Sequence, residues 1–155
     1  MSSWSSRLAT CFGIGRIPFA SGTFASAAAM PLGFLLVALG SSAIIAAALV
    51  AVGLGVWACG EHAAKLGVVD PAECVLDEVA GQWIALVPIA LYARPLDWRP
   101  YAVSFFLFRF FDVLKAWPLS AAERLPGGYG VMADDILAGL IAAGVLSAAL
   151  SMGWV

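Results

Sequence analysis

Residues 42–60 read SAIIAAALVAVGLGVWACG, and residues 136–155 read ILAGLIAAGVLSAALSMGWV. Neither stretch contains a charged residue, and each is close to the roughly 20 residues that an α-helix needs to cross a bilayer. Neither shows the alternating apolar and polar pattern of a barrel strand. Because a chain in lipid must satisfy its backbone hydrogen bonds internally, both stretches predict membrane-spanning helices.

Three further apolar segments lie at residues 24–39, 79–93 and 100–117. The first is short and contains Pro31, which leaves open whether it spans the bilayer or re-enters it. The composition agrees with a membrane protein, because 63% of the 155 residues are hydrophobic and 12% are charged. We therefore predict an all-α fold: a polytopic helical membrane protein with four or five apolar helices.

The length and the charge exclude several other classes of protein. A chain of 155 residues is expected to form a single domain, residues 1–155, and a net charge of −2 gives no basic surface for nucleic acid. No cleaved leader is expected, because Gly13, Gly15 and Pro18 interrupt the apolar stretch that a signal peptide requires. The three cysteines lack CxxC spacing, so they predict packing residues instead of a disulfide or a zinc site.

The basic residues predict the orientation in the membrane. Five crossings with a cytoplasmic amino terminus place five basic residues inside: Arg7, Arg16, Lys65, Lys115 and Arg124. Only Arg94 and Arg99 then lie outside, as the positive-inside rule favours. The same topology brings residues 60–78, 109–112 and 123–135, which contain nearly every acidic residue, to the cytoplasmic face. We therefore expect an active site at that face.

Two of the charged clusters lie at the ends of apolar segments. Asp77 and Glu78 open the segment that follows them, where carboxylates could also simply stabilise a helix amino terminus. Arg109, Asp112 and Lys115 are three residues apart and share one helical face. Ionisable groups in an apolar span are usually functional, although an Arg109–Asp112 ion pair with an interfacial Lys115 is the alternative.

The third cluster combines glycines with carboxylates. Gly127, Gly128 and Gly130 allow backbone N–H groups to approach an anion, whereas Asp134 and Asp135 would repel it. A hard cation bound between these carboxylates and a phosphate would allow both to occupy one site. The alternative is a structural glycine turn before a capped helix. An earlier loop could contribute Gly22 and the Thr23 hydroxyl to phosphate binding. The alternative is that it is only a flexible loop before the first apolar segment.

Several phosphatase chemistries are excluded by the residues themselves. Cys11 and Arg16 are separated by four residues, not by the five of a cysteine-nucleophile loop. His62 is the only histidine, so a two-histidine mechanism is impossible, and we leave His62 out of the site. The DxD nucleophile motif is also absent. What remains is a metal ion held by carboxylates.

Together these clusters resemble the phosphatidylglycerophosphatase A family, in order, from about Gly13 to Val145. The resemblance rests on Gly22-Thr23, residues 76–81 (LDEVAG), residues 109–112 (RFFD), Lys115, Trp117-Pro118, residues 127–132 (GGYGVM) and Asp134-Asp135. It implies Mg²⁺-dependent hydrolysis of phosphatidylglycerophosphate to phosphatidylglycerol in the bacterial inner membrane. Ala116 and Ser21 stand where the family usually has proline, which affects local geometry more than chemistry.

The residues assigned to the predicted site fall into two groups. The Mg²⁺ ligands and the catalytic acid or base are drawn from Asp77, Glu78, Asp112, Asp134 and Asp135. The phosphate is expected to contact Arg109, Lys115, Gly127, Gly128, Gly130, Gly22 and Thr23. The number of ions, and whether one acid activates water or attacks phosphorus directly, stay open.

Two competing functions were weighed against this one. A small membrane transporter or scaffold would place charges at several depths of the bilayer, whereas these charges gather at one face. A phosphotransferase that uses CDP-alcohols requires a long signature of spaced aspartates, which this chain lacks.

Overall fold

The computed structural model describes residues 4–92, 95–114, 119–122 and 124–155. Its elements are α1 (Trp4–Ala9), a 3-10 helix (Cys11–Arg16), α2 (Ser21–Leu39), α3 (Ser41–Leu66), α4 (Leu76–Leu91), α5 (Trp98–Leu114), α6 (Leu119–Ala122) and α7 (Gly128–Ser151). These described residues contain no strand, and the predicted all-α class is confirmed.

Three of the helices are long and apolar enough to cross a membrane. They are α2, α3 and α7, with mean hydropathies of 1.8, 2.2 and 1.7 over 18 residues. Helices α4 and α5 are shorter, with 16 and 17 residues. The chain thus has the character of a membrane protein with three candidate spans in its described part, and the predicted four or five crossings stay a prediction.

The helices extend beyond several of the predicted segments. Helix α2 begins at Ser21 and continues through Pro31 as one element of 19 residues, which favours a span over a re-entrant segment. Helix α4 begins at Leu76 instead of residue 79 and includes Pro88. Helix α3 continues to Leu66, six residues past the predicted end. The carboxyl ends of the predicted segments 79–93 and 100–117 lie outside the described residues.

Helix α4 lies at the centre of the bundle and packs against α2, α3, α5 and α7. Its contact with α7 is the closest, because glycines face each other there. A Cβ atom on Gly139 would lie 2.5 Å from the carbonyl oxygen of Gly81, and one on Gly81 would lie 2.7 Å from that of Asp135. Small residues let helix backbones approach closely in membranes. This crossing brings the first turns of α4 and α7 together.

A smaller structure covers the end of the bundle at which α4 and α7 begin. We call residues 4–16 and 67–75 the N-terminal collar. The Val75 N–H donates to the Ala9 carbonyl oxygen at 2.9 Å, and Gly15 lies directly against the Glu73 backbone. Lys65, in the last turn of α3, donates to the Ser5 hydroxyl at 2.7 Å. The collar is therefore fixed both to α3 and to the chain entering α4.

Candidate active site

A cavity of about 220 Å³ lies where α4 and α7 begin and α5 ends. Six carboxyl groups from four segments of the chain line it: Asp70, Asp77, Glu78, Asp112, Asp134 and Asp135. The collar closes one side with residues 70–72 and Cys74. All five acids that the sequence placed in the site therefore meet in one cavity, and their catalytic and metal-binding roles stay a prediction.

Three of these carboxylates form a tighter group. Oxygen atoms of Glu78, Asp112 and Asp135 lie within 4.8 Å of one another. Asp112 and Asp135 are buried, and Glu78 is half-buried. A set of carboxylate oxygens without nitrogen or sulfur is what a hard cation such as Mg²⁺ prefers. By donor type and proximity, the group fits the predicted metal.

The other two acids of the predicted pool flank this group. Asp77 is 7% exposed, and its Oδ1 accepts a hydrogen bond from the Glu78 N–H at 2.9 Å. It therefore satisfies one backbone donor at the start of α4, as the helix-terminus interpretation expected. Asp134 is also buried and lines the same cavity. Both residues therefore share a cavity with the three grouped carboxylates and could contact the same ligand.

Arg109 is the cation bound to the tight group. Its Nη1 donates to Glu78 Oε2 and lies 2.7 Å from Asp112 Oδ2. An Arg109–Asp112 ion pair was the alternative to a functional role in the sequence analysis. The structure contains this pair together with a second partner, Glu78. The Nε atom of Arg109 is buried and has no hydrogen-bond partner in the described part of the chain. Arg109 is not among the residues that line the acidic cavity, and its phosphate role stays a prediction.

The predicted phosphate-binding glycines divide into two groups. Gly22 lies against the Glu78 carboxylate, which a Cβ atom would overlap, and the Thr23 hydroxyl is exposed in the next position of α2. Gly128 instead packs on the Val56 carbonyl oxygen of α3. None of Gly22, Thr23, Gly127, Gly128 and Gly130 is among the residues that line the acidic cavity, and Gly22 adjoins it only through Glu78. The phosphate-binding roles of these five residues stay predictions. Lys115, Ala116, Trp117 and Pro118 lie outside the described residues.

Neither Asp70 nor Ser26 was singled out from the sequence, and His62 was left out of the site. Asp70 lines the cavity from a loop, where an Asp-Pro pair is ordinary turn chemistry and gives no functional signal. Ser26, one helical turn after Gly22, lies 3.5 Å from the Glu78 carboxylate. His62 lies outside the cavity, as expected, and its ring contacts Ser6 and Glu73 at 3.0 Å each. These two contacts attach the buried His62 side chain of α3 to the collar.

The cysteines are buried or half-buried thiols. Burial, with a smaller contribution from Asp77, raises the pKa of the Cys11 thiol to about 12. This thiol is therefore protonated at neutral pH, and a protonated thiol is a poor nucleophile. Cys59 and Cys74 are buried in an apolar cluster, as packing residues are. This agrees with the exclusion of a cysteine-nucleophile mechanism.

The fold and the cavity define a helical protein of membrane character with a carboxylate-lined site at one end of its bundle. The family model described as phosphatidylglycerophosphatase A matches residues 7–150. The chain belongs to this family, and both the predicted family and the predicted phosphatase class are confirmed.

Three relatives show how far the similarity extends. The chain is 37% identical to the phosphatidylglycerophosphatase A of Escherichia coli K12, over 90% of this chain and 79% of that protein. It is 38% identical to the one of Haemophilus influenzae, over 87% and 82%. It is also 37% identical, over 86% and 85%, to a Bacteroides thetaiotaomicron protein with the provisional name phosphatidylinositol-3-phosphatase. No solved structure matches the chain.

Proposed function

We propose that this phosphatase hydrolyses the terminal phosphate monoester of phosphatidylglycerophosphate, with Mg²⁺ as cofactor, and releases phosphatidylglycerol and phosphate. The observation that carries the proposal is the group of Glu78, Asp112 and Asp135 oxygens within 4.8 Å, at one end of a bundle of apolar helices. The family and the names of two relatives support the substrate. A lipid substrate also suits a site that is reached at a membrane.

Glu78, Asp112 and Asp135 are the residues that would hold Mg²⁺. A bound ion would supply positive charge for the phosphoryl oxygens and would make the attacking water easier to deprotonate. Three ionised carboxylates with one bound guanidinium would leave an excess of negative charge in a poorly hydrated place, and either protonation of a carboxyl group or a further cation relieves it. The arrangement is therefore compatible with a cation site.

Arg109 would bind the transferring phosphate. Its guanidinium pairs with Glu78 and Asp112, which both line the acidic cavity, so a phosphate bound in that cavity would lie near this cation. Asp77 and Asp134 line the same cavity and are candidates to accept the proton of the attacking water. In the overall reaction, the water oxygen bonds to phosphorus and the bond from phosphorus to the ester oxygen breaks. The proton taken from the water is returned to the lipid oxygen, which leaves as a hydroxyl.

The proposed location is the bacterial inner membrane, with the site facing the cytoplasm. Arg7, Arg16 and Lys65 belong to the collar or adjoin it, at the same end as the acidic cavity. Arg99 lies at the start of α5, toward the opposite end. This distribution agrees with the positive-inside rule.

The decisive assay uses the purified full chain in detergent with two substrates. We expect phosphate release from phosphatidylglycerophosphate that stops with EDTA and returns with excess Mg²⁺. Phosphatidylinositol 3-phosphate is the comparison, because one relative bears that provisional name. Full turnover in EDTA would contradict the proposed dependence on Mg²⁺. Faster hydrolysis of the inositol lipid would contradict the substrate, and no phosphate release from either lipid would favour the transporter or scaffold alternative.

A further inference from the structure

An apolar cavity of about 340 Å³ lies between the middle of α2 and the start of α5. Ala27, Met30 and Phe34 of α2 line one side of it, and Trp98 and Tyr101 of α5 line the other. Within the described part of the chain, no charged residue lines this cavity. Recesses of this size and lining bind apolar ligands, yet the proposed reaction assigns no role to this one.

The cavity belongs to an open groove between two helices. Helices α2 and α5 both pack on α4 but make only sparse contact with each other, so that α4 forms the floor between them. The Trp98 side chain is 73% exposed and Phe34 is 36% exposed, which places the mouth of the cavity at the outside of the bundle. Because α2 is a candidate membrane span, that outside is the hydrocarbon of the bilayer. We call this groove the α2–α5 seam.

One face of α2 connects the cavity to the candidate active site. Gly22, Ser26, Met30 and Phe34 are spaced four residues apart, so they share this face. At its upper end, a Cβ atom on Gly22 would overlap the Glu78 carboxylate, and the Ser26 hydroxyl lies 3.5 Å from Glu78 Oε2. At its lower end, Met30 and Phe34 line the cavity.

The facing side of α5 has the same arrangement. Tyr101, Phe105 and Arg109 are also four residues apart, and Arg109 pairs with Glu78 at the upper end. Tyr101 lines the cavity at the lower end, where its ring centre lies 5.3 Å from that of Phe34 and closes the groove. The seam thus leads from Glu78, which lines the acidic cavity, to the Phe34–Tyr101 pair.

The length of the seam matches the depth of one lipid leaflet. Phe34 lies twelve residues after Gly22, which corresponds to about 18 Å along a helix. The hydrocarbon of one leaflet is about 15 Å deep. An acyl chain whose headgroup is bound at Glu78 would therefore end near the Phe34–Tyr101 pair.

We propose that one acyl chain of the phospholipid substrate lies in the α2–α5 seam and ends in this cavity, while its phosphate is bound in the acidic cavity. The proposal rests on the proposed reaction, because that reaction supplies the lipid. Continuity with Glu78 selects a lipid bound at the active site over the other lipids of the bilayer. The seam admits the substrate sideways from the membrane, and its length makes the enzyme sensitive to the length of the acyl chains.

The first test fills the cavity and compares two chain lengths. We expect Ala27→Phe to lower kcat/KM about tenfold for dipalmitoyl phosphatidylglycerophosphate, because the new ring occupies the place of the acyl chain. The dihexanoyl lipid, whose chains are too short to reach the cavity, should lose less than about twofold. Ala47→Phe is the matched control: Ala47 lines another apolar cavity, of about 320 Å³, between α2, α3 and α4. This variant should change neither rate.

The second test locates the chain directly and does not require turnover. Phosphatidylglycerophosphate with a diazirine at the end of one acyl chain is irradiated with the full chain in vesicles, and the adducts are mapped by mass spectrometry. We expect adducts concentrated on Met30, Phe34 and Tyr101, and few on Leu49 and Val50, which are exposed on α3. Phosphatidylcholine with the same labelled chain should show no such preference. This measurement on the unaltered protein stands even if Ala27→Phe does not fold.

Three results would overturn the proposal. An equal loss of kcat/KM for both chain lengths would make Ala27→Phe a structural lesion. The same adduct pattern with phosphatidylcholine would make the occupant an ordinary bilayer lipid, and adducts outside the seam would leave the cavity to another occupant. The proposed reaction is judged separately: hydrolysis without adducts in the seam rejects only the chain site, and adducts in the seam without hydrolysis reject only the reaction.

Discussion

Oxygen atoms of Glu78, Asp112 and Asp135 lie within 4.8 Å of one another, and the proposed Mg²⁺ site rests on this proximity. We predict that Glu78→Gln, Asp112→Asn and Asp135→Asn each lower turnover of phosphatidylglycerophosphate at least about a hundredfold, or ~2.7 kcal/mol. These amides keep the size of the side chain but lose the negative charge. Initial rates at saturating Mg²⁺, in variants whose membrane levels are matched by immunoblot, measure the effect.

The matched control for this series is Asp97→Asn. Asp97 is bonded to Arg99 beside the start of α5, away from the cavity. Its loss should change turnover by less than about twofold, because exposed ion pairs contribute little. If the three site variants retain more than about a tenth of normal turnover, the carboxylates are structural.

Gly22 tests whether the position of Glu78 matters, without altering any charge. A methyl group at Gly22 would overlap the Glu78 carboxylate and must displace it. We expect Gly22→Ala to lower turnover about tenfold or more while the thermal unfolding midpoint changes little. Gly144→Ala is the control, because that methyl group would meet open space in α7. Equal activity of the two variants would show that Glu78 tolerates displacement.

At the scale of elements, the crossing of α4 and α7 assembles the site. Gly139→Leu would force the two backbones apart at Gly81, with overpacking that we expect to be worth about 1–3 kcal/mol. The prediction is a lower unfolding midpoint in detergent and loss of phosphatase activity. Gly53→Leu places the same side chain on an open face of α3 and should change neither. A Gly139→Leu variant with normal stability would show that the crossing is loose.

The sequence predicted the helices well where residues are apolar and less well where helices leave the apolar layer. Helix α3 continues through Glu61, His62 and Lys65, which a search for apolar runs excludes. Glu61 and Lys65 form an i,i+4 ion pair within the helix, and Lys65 and His62 are bonded to Ser5, Ser6 and Glu73 in the collar, which stabilises these polar turns. Such contacts join residues up to 60 positions apart and leave no periodic pattern.

The site was predictable in its composition but not in its contacts. Carboxylates at the ends of apolar segments identified the acids, because such groups are unfavourable in lipid without a function. The pairing of Arg109 with Glu78 joins residues 31 positions apart, and only the packing of α4 against α5 reveals it. The close contact of Gly128 with the Val56 carbonyl oxygen was not predictable either, and the phosphate role of Gly128 stays a prediction.

For the whole molecule, the acidic cavity and the turn before α5 should lie on opposite sides of the membrane. We predict that a membrane-impermeant maleimide added to intact spheroplasts labels Asp97→Cys, and that Leu125→Cys reacts only after permeabilisation. Leu125 is exposed and lies just before α7, and the native cysteines are first replaced by alanine. Labelling of both positions from outside would contradict the orientation.

The collar contributes walls to two separate cavities. The acidic cavity is lined by Asp70, Pro71, Ala72 and Cys74 of the collar, and a second cavity, of about 290 Å³, by Arg7, Thr10, Phe12, Gly13 and Arg16. The Val75–Ala9 hydrogen bond and the contact of Gly15 with Glu73 connect the two walls. A substitution that breaks the Val75–Ala9 hydrogen bond or displaces Gly15 from Glu73 would therefore disturb the walls of both cavities at once.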